Sequence, residues 1–133
     1  MKAPALVTVD QVPEAFVALF EAARQRGMRV GWLDLSVDEA VPTAPALKVG
    51  ATKAVAVGDD RVVSVKRISG RTVLRDLVRE HFLGYAVVLV HGHQGSPSLR
   101  STGMELRLEE GGRVVSLPAD ALLSRLLRPR YRV

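Results

Sequence analysis

The chain contains no cysteine and no asparagine. Without a thiol there is no disulfide framework, no thiolate metal centre and no cysteine nucleophile, a usage that suits a reducing cytosol. Glutamine occurs three times, and arginine outnumbers lysine fifteen to four. Depletion of thermolabile side chains matches a thermophile-like composition, although Arg, Ala, Val and Gly enrichment also follows from a GC-rich genome. Long apolar runs are missing as well. None approaches the roughly 18 residues that span a bilayer, and the apolar part of the first ten residues is too short for a secretory signal. The expectation is a cytoplasmic protein with no membrane partner.

What is present is 133 residues, 47% of them hydrophobic, with no low-complexity tract. That suffices for one compact domain able to bury about two thirds of its unfolded surface. We expect it over residues 1–128, with a short basic tail at 129–133. The net charge of +5 divides unevenly. Residues 1–120 carry fifteen basic and fourteen acidic side chains, whereas residues 121–133 carry Arg125, Arg128, Arg130 and Arg132 and no acid. A protein built on phosphate contacts spreads its basic excess over a folded face more often than it gathers it in a tail.

The pattern along the chain predicts an α/β (or α+β) fold. Ala5 to Val9 is a β-branched run that reads as a strand, and Asp10 is placed to cap a helix whose first turn accepts Pro13 and Glu14. Val12, Phe16, Leu19, Phe20 and Ala23 recur at helical spacing, and Gly27 closes that helix. A second strand, Arg29 to Leu35, completes a strand, helix, strand opening, for which a parallel crossover is the expected arrangement. Trp32 reads as a core or interface filler, and Asp34 as a loop or capping carboxylate that also lies where a site would form. Ser36 to Thr52 gives the weakest pattern, a turn of helix and a second short helix ending at Gly50. Residues 53–57 and 61–66 flank Gly58-Asp-Asp60 as a hairpin with a three-residue loop. A helix from about Thr72 to Phe82 would bury Leu74, Leu77, Val78 and His81. A second hairpin, Met104 to Glu109 and Arg113 to Leu117 around Glu110-Gly-Gly112, precedes a last helix from Pro118 to about Leu127 with Ala121, Leu122 and Leu126 inward. The sum is a mixed sheet with an N-terminal βαβ crossover, two hairpins and about three main helices. Arg61-Val-Val-Ser-Val65 and Arg113-Val-Val-Ser-Leu117 are similar enough to raise a duplication, though five residues are few for that claim.

The chain is organised around Tyr85 to Val90, an uninterrupted apolar run bounded by Gly84 and Gly92. Such a run reads as a strand covered on both faces, in the middle of the sheet. Residues 91–103 then follow at its carboxyl end, where open α/β sheets bind ligands. Backbone amides, hydroxyls and a guanidinium in one loop are anion-binding chemistry. The leading reading is therefore a binding or interaction module that takes a small anionic or nucleotide-type ligand on His91, His93, Ser96, Ser98, Arg100, Ser101 and Thr102.

Two other readings compete. If the strand continues through His91-Gly-His93, both imidazoles lie on one side, and with Asp34 as third ligand they could hold a divalent metal for hydrolysis. The acidic and histidine residues that complete known motifs of this kind are absent, and no cofactor is otherwise implied. The second competitor is nucleic-acid binding through a stripe of Arg71, Arg75 and Arg79 with the tail residues Arg128, Arg130 and Arg132. The hydroxyls near His91 match no nucleophile motif, so the reading leans away from an enzyme. A sheet of this size has edges to cover, which favours a homodimer.

Overall fold

The structure, a computed structural model, describes residues 3–35, 45–46, 49–66, 68 and 74–128. Its contacts divide into two compact units, the described residues up to Leu35 together with those from Leu74 onward, and those between. The first unit holds a six-stranded mixed sheet and three helices, an α/β architecture as the pattern predicts.

That unit opens with β1 (Ala5–Val9), a 3-10 turn (Pro13–Phe16) running into α1 (Val17–Gln25), and β2 (Val30–Asp34). After the second unit come α2 (Leu74–His81), β5 (Val87–His91), β6 (Ser98–Ser101), β7 (Leu106–Glu110), β8 (Arg113–Leu117) and α3 (Ala119–Leu126). The strand order is β2-β5-β1-β6-β7-β8. β2, β5, β1 and β6 run parallel, and β7 and β8 continue the sheet antiparallel. The opening crossover therefore lands two positions away from β1, with β5 inserted between. An apolar run without polar alternation needs hydrogen-bonded neighbours on both edges and cover on both faces, and the central position supplies them.

One face of the sheet packs on α1 and α3. Val7, Val9, Val87, Leu89, Leu99 and Leu108 meet Phe16, Leu19, Leu122, Leu123 and Leu126 there. On the opposite face β2 carries Gly31, where an added Cβ would lie 2.6 Å from two ring carbons of Phe82 and 3.2 Å from Tyr85. The missing side chain is what lets the Phe82 ring, edge-on to Tyr85 at 5.3 Å, lie against that strand. Both faces of β5 are covered in consequence, and Val87 to Val90 are at most 1% exposed.

α1 closes as its glycine predicts. Gly27 takes φ 68°, and the amides of Gly27 and Met28 donate to Arg24 and Ala23 in a paired C-terminal cap. Its start differs from expectation, because the first turn is 3-10 and no side chain caps it. Asp10 is drawn instead to Arg100. Val12, expected inward, is exposed because it precedes the first helical turn. In α2, Val78 is buried and Leu74 and Leu77 are half-buried, but His81 lies exposed beside Glu80; Phe82, one residue on, takes the inward place. In α3 the inward set is Leu122, Leu123 and Leu126, with Ala121 exposed.

The second unit contains β3 (Lys53–Val57) and β4 (Val62–Lys66), paired antiparallel as a two-stranded sheet of their own. Val57 pairs with Val62, so the connection has four residues and takes in Arg61, whose carbonyl accepts from the Gly58 amide at 2.8 Å. The β7–β8 hairpin turns through Gly111 (φ 58°) and Gly112 (φ 82°), the two positive φ angles that a two-residue connection of this hand requires. Most of the segment from Ser36 to Thr52, and Thr72 at the start of the expected middle helix, lie outside the described residues.

Candidate functional site

β5 ends at His91, where Gly92 (φ 88°) turns the chain. The strand does not run on through His93, so the expected same-side pair of imidazoles does not form by strand alternation. Residues 92–97 instead form a strap across β1. Thr8 and Val9 pair with Val90 and His91 on one flank and with Ser98 and Leu99 on the other. In six residues, without a helix, the chain passes from one side of β1 to the other. Thr8 fixes the crossing: its hydroxyl lies 2.9 Å from the Gly95 carbonyl and 3.3 Å from that of Pro97, and its amide donates to the Pro97 carbonyl at 3.0 Å. The expected dozen-residue loop is thus a short strap followed by β6, a strand too short to show a period.

Beyond the strap, Arg100 on β6 reaches Asp10, which follows the neighbouring β1. Its Nη1 donates to both carboxylate oxygens, at 3.0 and 2.8 Å. Both side chains are largely exposed, at 60% and 72%, and pairs of that kind add about 0–1 kcal/mol to stability. What the pair does is orient the guanidinium. Nη2 and Nε make no hydrogen bond among the described residues. Asp10 and Arg100 lie with Thr8, His93, Gln94, Gly95 and Ser98 around a cleft of about 310 Å³.

A second cleft of about 300 Å³ lies along Val9, Asp10, His91, Gly92, His93 and Gln94. His91 on β5, which lines it, stands in register beside Asp34 on β2, which does not. Nδ1 of His91 lies 3.3 Å from the Asp34 carboxylate. The imidazole stacks on Trp32 at 5.9 Å and 23°, and Trp32 in turn meets Phe16 at 6.3 Å. Trp32 is a half-buried filler, as expected, that also props the histidine. Asp34 and His91 come together and His93 borders the same cleft, yet no group of three or more His, Asp or Glu side chains among the described residues is arranged to hold a metal ion.

The hydroxyls serve the chain itself. Ser98 donates to Glu109 at 3.4 Å, Ser101 accepts from the Gly103 amide, and Thr102 donates to the Glu105 carbonyl. The Ser96 hydroxyl accepts from the Gly111 amide at 3.5 Å, tying the strap to the β7–β8 turn. Ser101 is further held by Gln11, whose Oε1 accepts from its amide at 2.6 Å and whose Nε2 donates to its carbonyl at 3.1 Å. Arg75, Arg79 and Arg128 are exposed, while Arg71, Arg130 and Arg132 lie outside the described residues.

Asp10, Thr8 and Gln94 line the cleft beside Arg100 and were not among the residues that sequence reasoning singled out for a site. The positional argument applied to Asp34, a carboxylate at the end of a parallel strand, applies equally to Asp10; its capping pattern hid it. Thr8 carried no signal, because nothing local announces a chain crossing overhead.

No protein-family model and no curated protein matches the chain. Among solved structures it is similar to MobB of Bacillus subtilis, with 17% identity and a TM-score of 0.46 over 71% of this chain; the chain spans 64% of MobB's length. The functional reading rests on this chain's own geometry.

Proposed function

We propose that the chain is a cytoplasmic, homodimeric binding module that receives a small anionic group in the cleft beside Arg100. The observation that carries this is the guanidinium itself. Asp10 holds Nη1, and the rest of the fork, with no hydrogen bond among the described residues, borders a cleft large enough for a phosphate, sulfate or carboxylate group. Planar two-point recognition of such groups is what arginine does better than lysine. The cleft's place at the carboxyl ends of parallel strands adds to the reading. Because the neighbouring hydroxyls are engaged within the chain, the ligand's partners are Arg100, His93 and Gln94 more than the serines. The sheet edges at β2 and β8, and both edges of the β3–β4 pair, support self-association.

A thermal-shift series with phosphate, sulfate and nucleotides tests the ligand reading. At about a hundredfold excess over Kd, a bound anion stabilises the folded state by about 2.7 kcal/mol, a shift of several degrees. Arg100→Ala should abolish the shift and Arg100→Lys should weaken it. If no anion stabilises the wild type more than Arg100→Ala, the reading fails.

A further inference from the structure

Away from the crevice, a groove of about 380 Å³ runs between the start of α1 and the β6–β7 turn. Its floor includes Ala15, Leu106 and Ala119, and its mouth is set by Val17, 66% exposed, and Met104, 95% exposed. A methionine held fully in solvent beside an apolar floor is the adaptable kind of surface that peptides dock on. Two carboxylates, Glu14 and Glu105, line the same groove. Neither makes an ion pair among the described residues.

The chain's own surplus of positive charge lies at the other end of α3. Arg128, Arg130 and Arg132 alternate there with Pro129, Tyr131 and Val133. We propose that the groove receives this arginine-rich segment from a second copy of the chain, with Tyr131 against Val17 and Met104 and the arginines facing Glu14 and Glu105. The inference rests on the dimer reading and assigns it a contact. Insertion into the same chain's groove is opposed by reach. Ala119, at the groove, and Leu126 are separated by about 10 Å of helix. Leu126 to Tyr131 spans at most about 17 Å when fully extended, most of which is used in reversing direction and returning along that helix. Opposite charges at the rim of such a contact select the partner.

Sedimentation of the full chain over a concentration series, with folding of each variant checked by circular dichroism, tests this. The wild type should dimerise. Met104→Asp, the groove pair Glu14→Lys/Glu105→Lys and the tail set Arg128→Glu/Arg130→Glu/Arg132→Glu should each weaken the dimer at least tenfold. All the described residues changed are exposed, so these variants keep their cores. An equal mixture of the groove pair and the tail set should recover it, because both contacts in the mixed dimer are again complementary. A dimer of unchanged Kd in every variant overturns the assigned contact and leaves the dimer reading standing. A chain that stays monomeric throughout overturns both. Weakening in each variant without recovery in the mixture overturns docking between copies.

Discussion

β5 and the β3–β4 pair are all rich in valine, Val87-Val-Leu-Val-His91 against Lys53-Ala-Val-Ala-Val57 and Val62-Val-Ser-Val-Lys66. β5 has a hydrogen-bonded neighbour on each edge and cover on each face, whereas among the described residues β3 and β4 are paired only with one another. Val90 is 1% exposed and Val57 is 76% exposed. The β-propensity of valine is the same in both places; what differs is its surroundings. A valine in a strand therefore says little about stability until its neighbours are known.

The sharpest test of that difference is a pair of truncations. Leu89→Ala removes buried atoms from the middle of the core and should cost about 2–5 kcal/mol. Val57→Ala takes a similar side chain from an exposed site and should stay within about 0.5 kcal/mol. Urea melts of both variants measure the gap. Equal losses would break the comparison, and would mean that the hairpin's outer face is covered in solution.

How much of this was legible beforehand follows the same division. β5, α1 with its glycine stop and both hairpins were readable because each is announced by local chemistry: an unbroken apolar run, a 3.6-residue stripe, and turns marked by Gly58-Asp-Asp60 and by Gly111-Gly112. The insertion of β5 between β1 and β2 was not, since strand order is decided by contacts between segments 82 and 57 residues apart. Asp10 shows how a local rule misleads. An aspartate before Pro13 and Glu14 satisfies every requirement of a helix cap, yet the competing guanidinium of Arg100 comes from ninety residues away. His81 was placed inward by its spacing from Val78, but sits at the last turn of α2, where Phe82 supplies the larger apolar surface. The Asp34–His91 pair was half legible: each residue was singled out, and the register that joins them was not.

The strap offers a smaller, more local test of what long-range contacts contribute. Thr8→Val keeps the branched shape and removes the one proton shared by the carbonyls of Gly95 and Pro97. Loss of that bond should cost about 0.5–1.5 kcal/mol. Amide hydrogen exchange should quicken at position 8, whose amide donates to the Pro97 carbonyl of the strap, while Val88 to Val90 keep their protection, because β5 does not depend on the strap for its ladder. Slowed or unchanged exchange at position 8 would mean that the Ser96–Gly111 contact alone suffices to hold the strap.

The smallest effect is expected at the tip of the β3–β4 pair, where Arg61 donates to Asp60 at 2.9 and 3.1 Å. That hydrogen bond holds the Asp60 carboxyl below its ordinary value of 3.8, against the opposing effect of desolvation. A carboxyl lowered on folding contributes stability that is present above its unfolded value and is lost as pH falls through its folded value. Both side chains lie in solvent and are screened, so the contribution should be small and should shrink further with added salt. An NMR titration should find the Asp60 midpoint below 3.8, with Arg61→Ala returning it to the ordinary range. Any stability margin of the wild type over Asp60→Asn should narrow toward low pH. A margin that widens there would have the wrong sign for a lowered carboxyl, and the four-residue turn would then owe its geometry to the Gly58–Arg61 backbone bond rather than to the charges beside it.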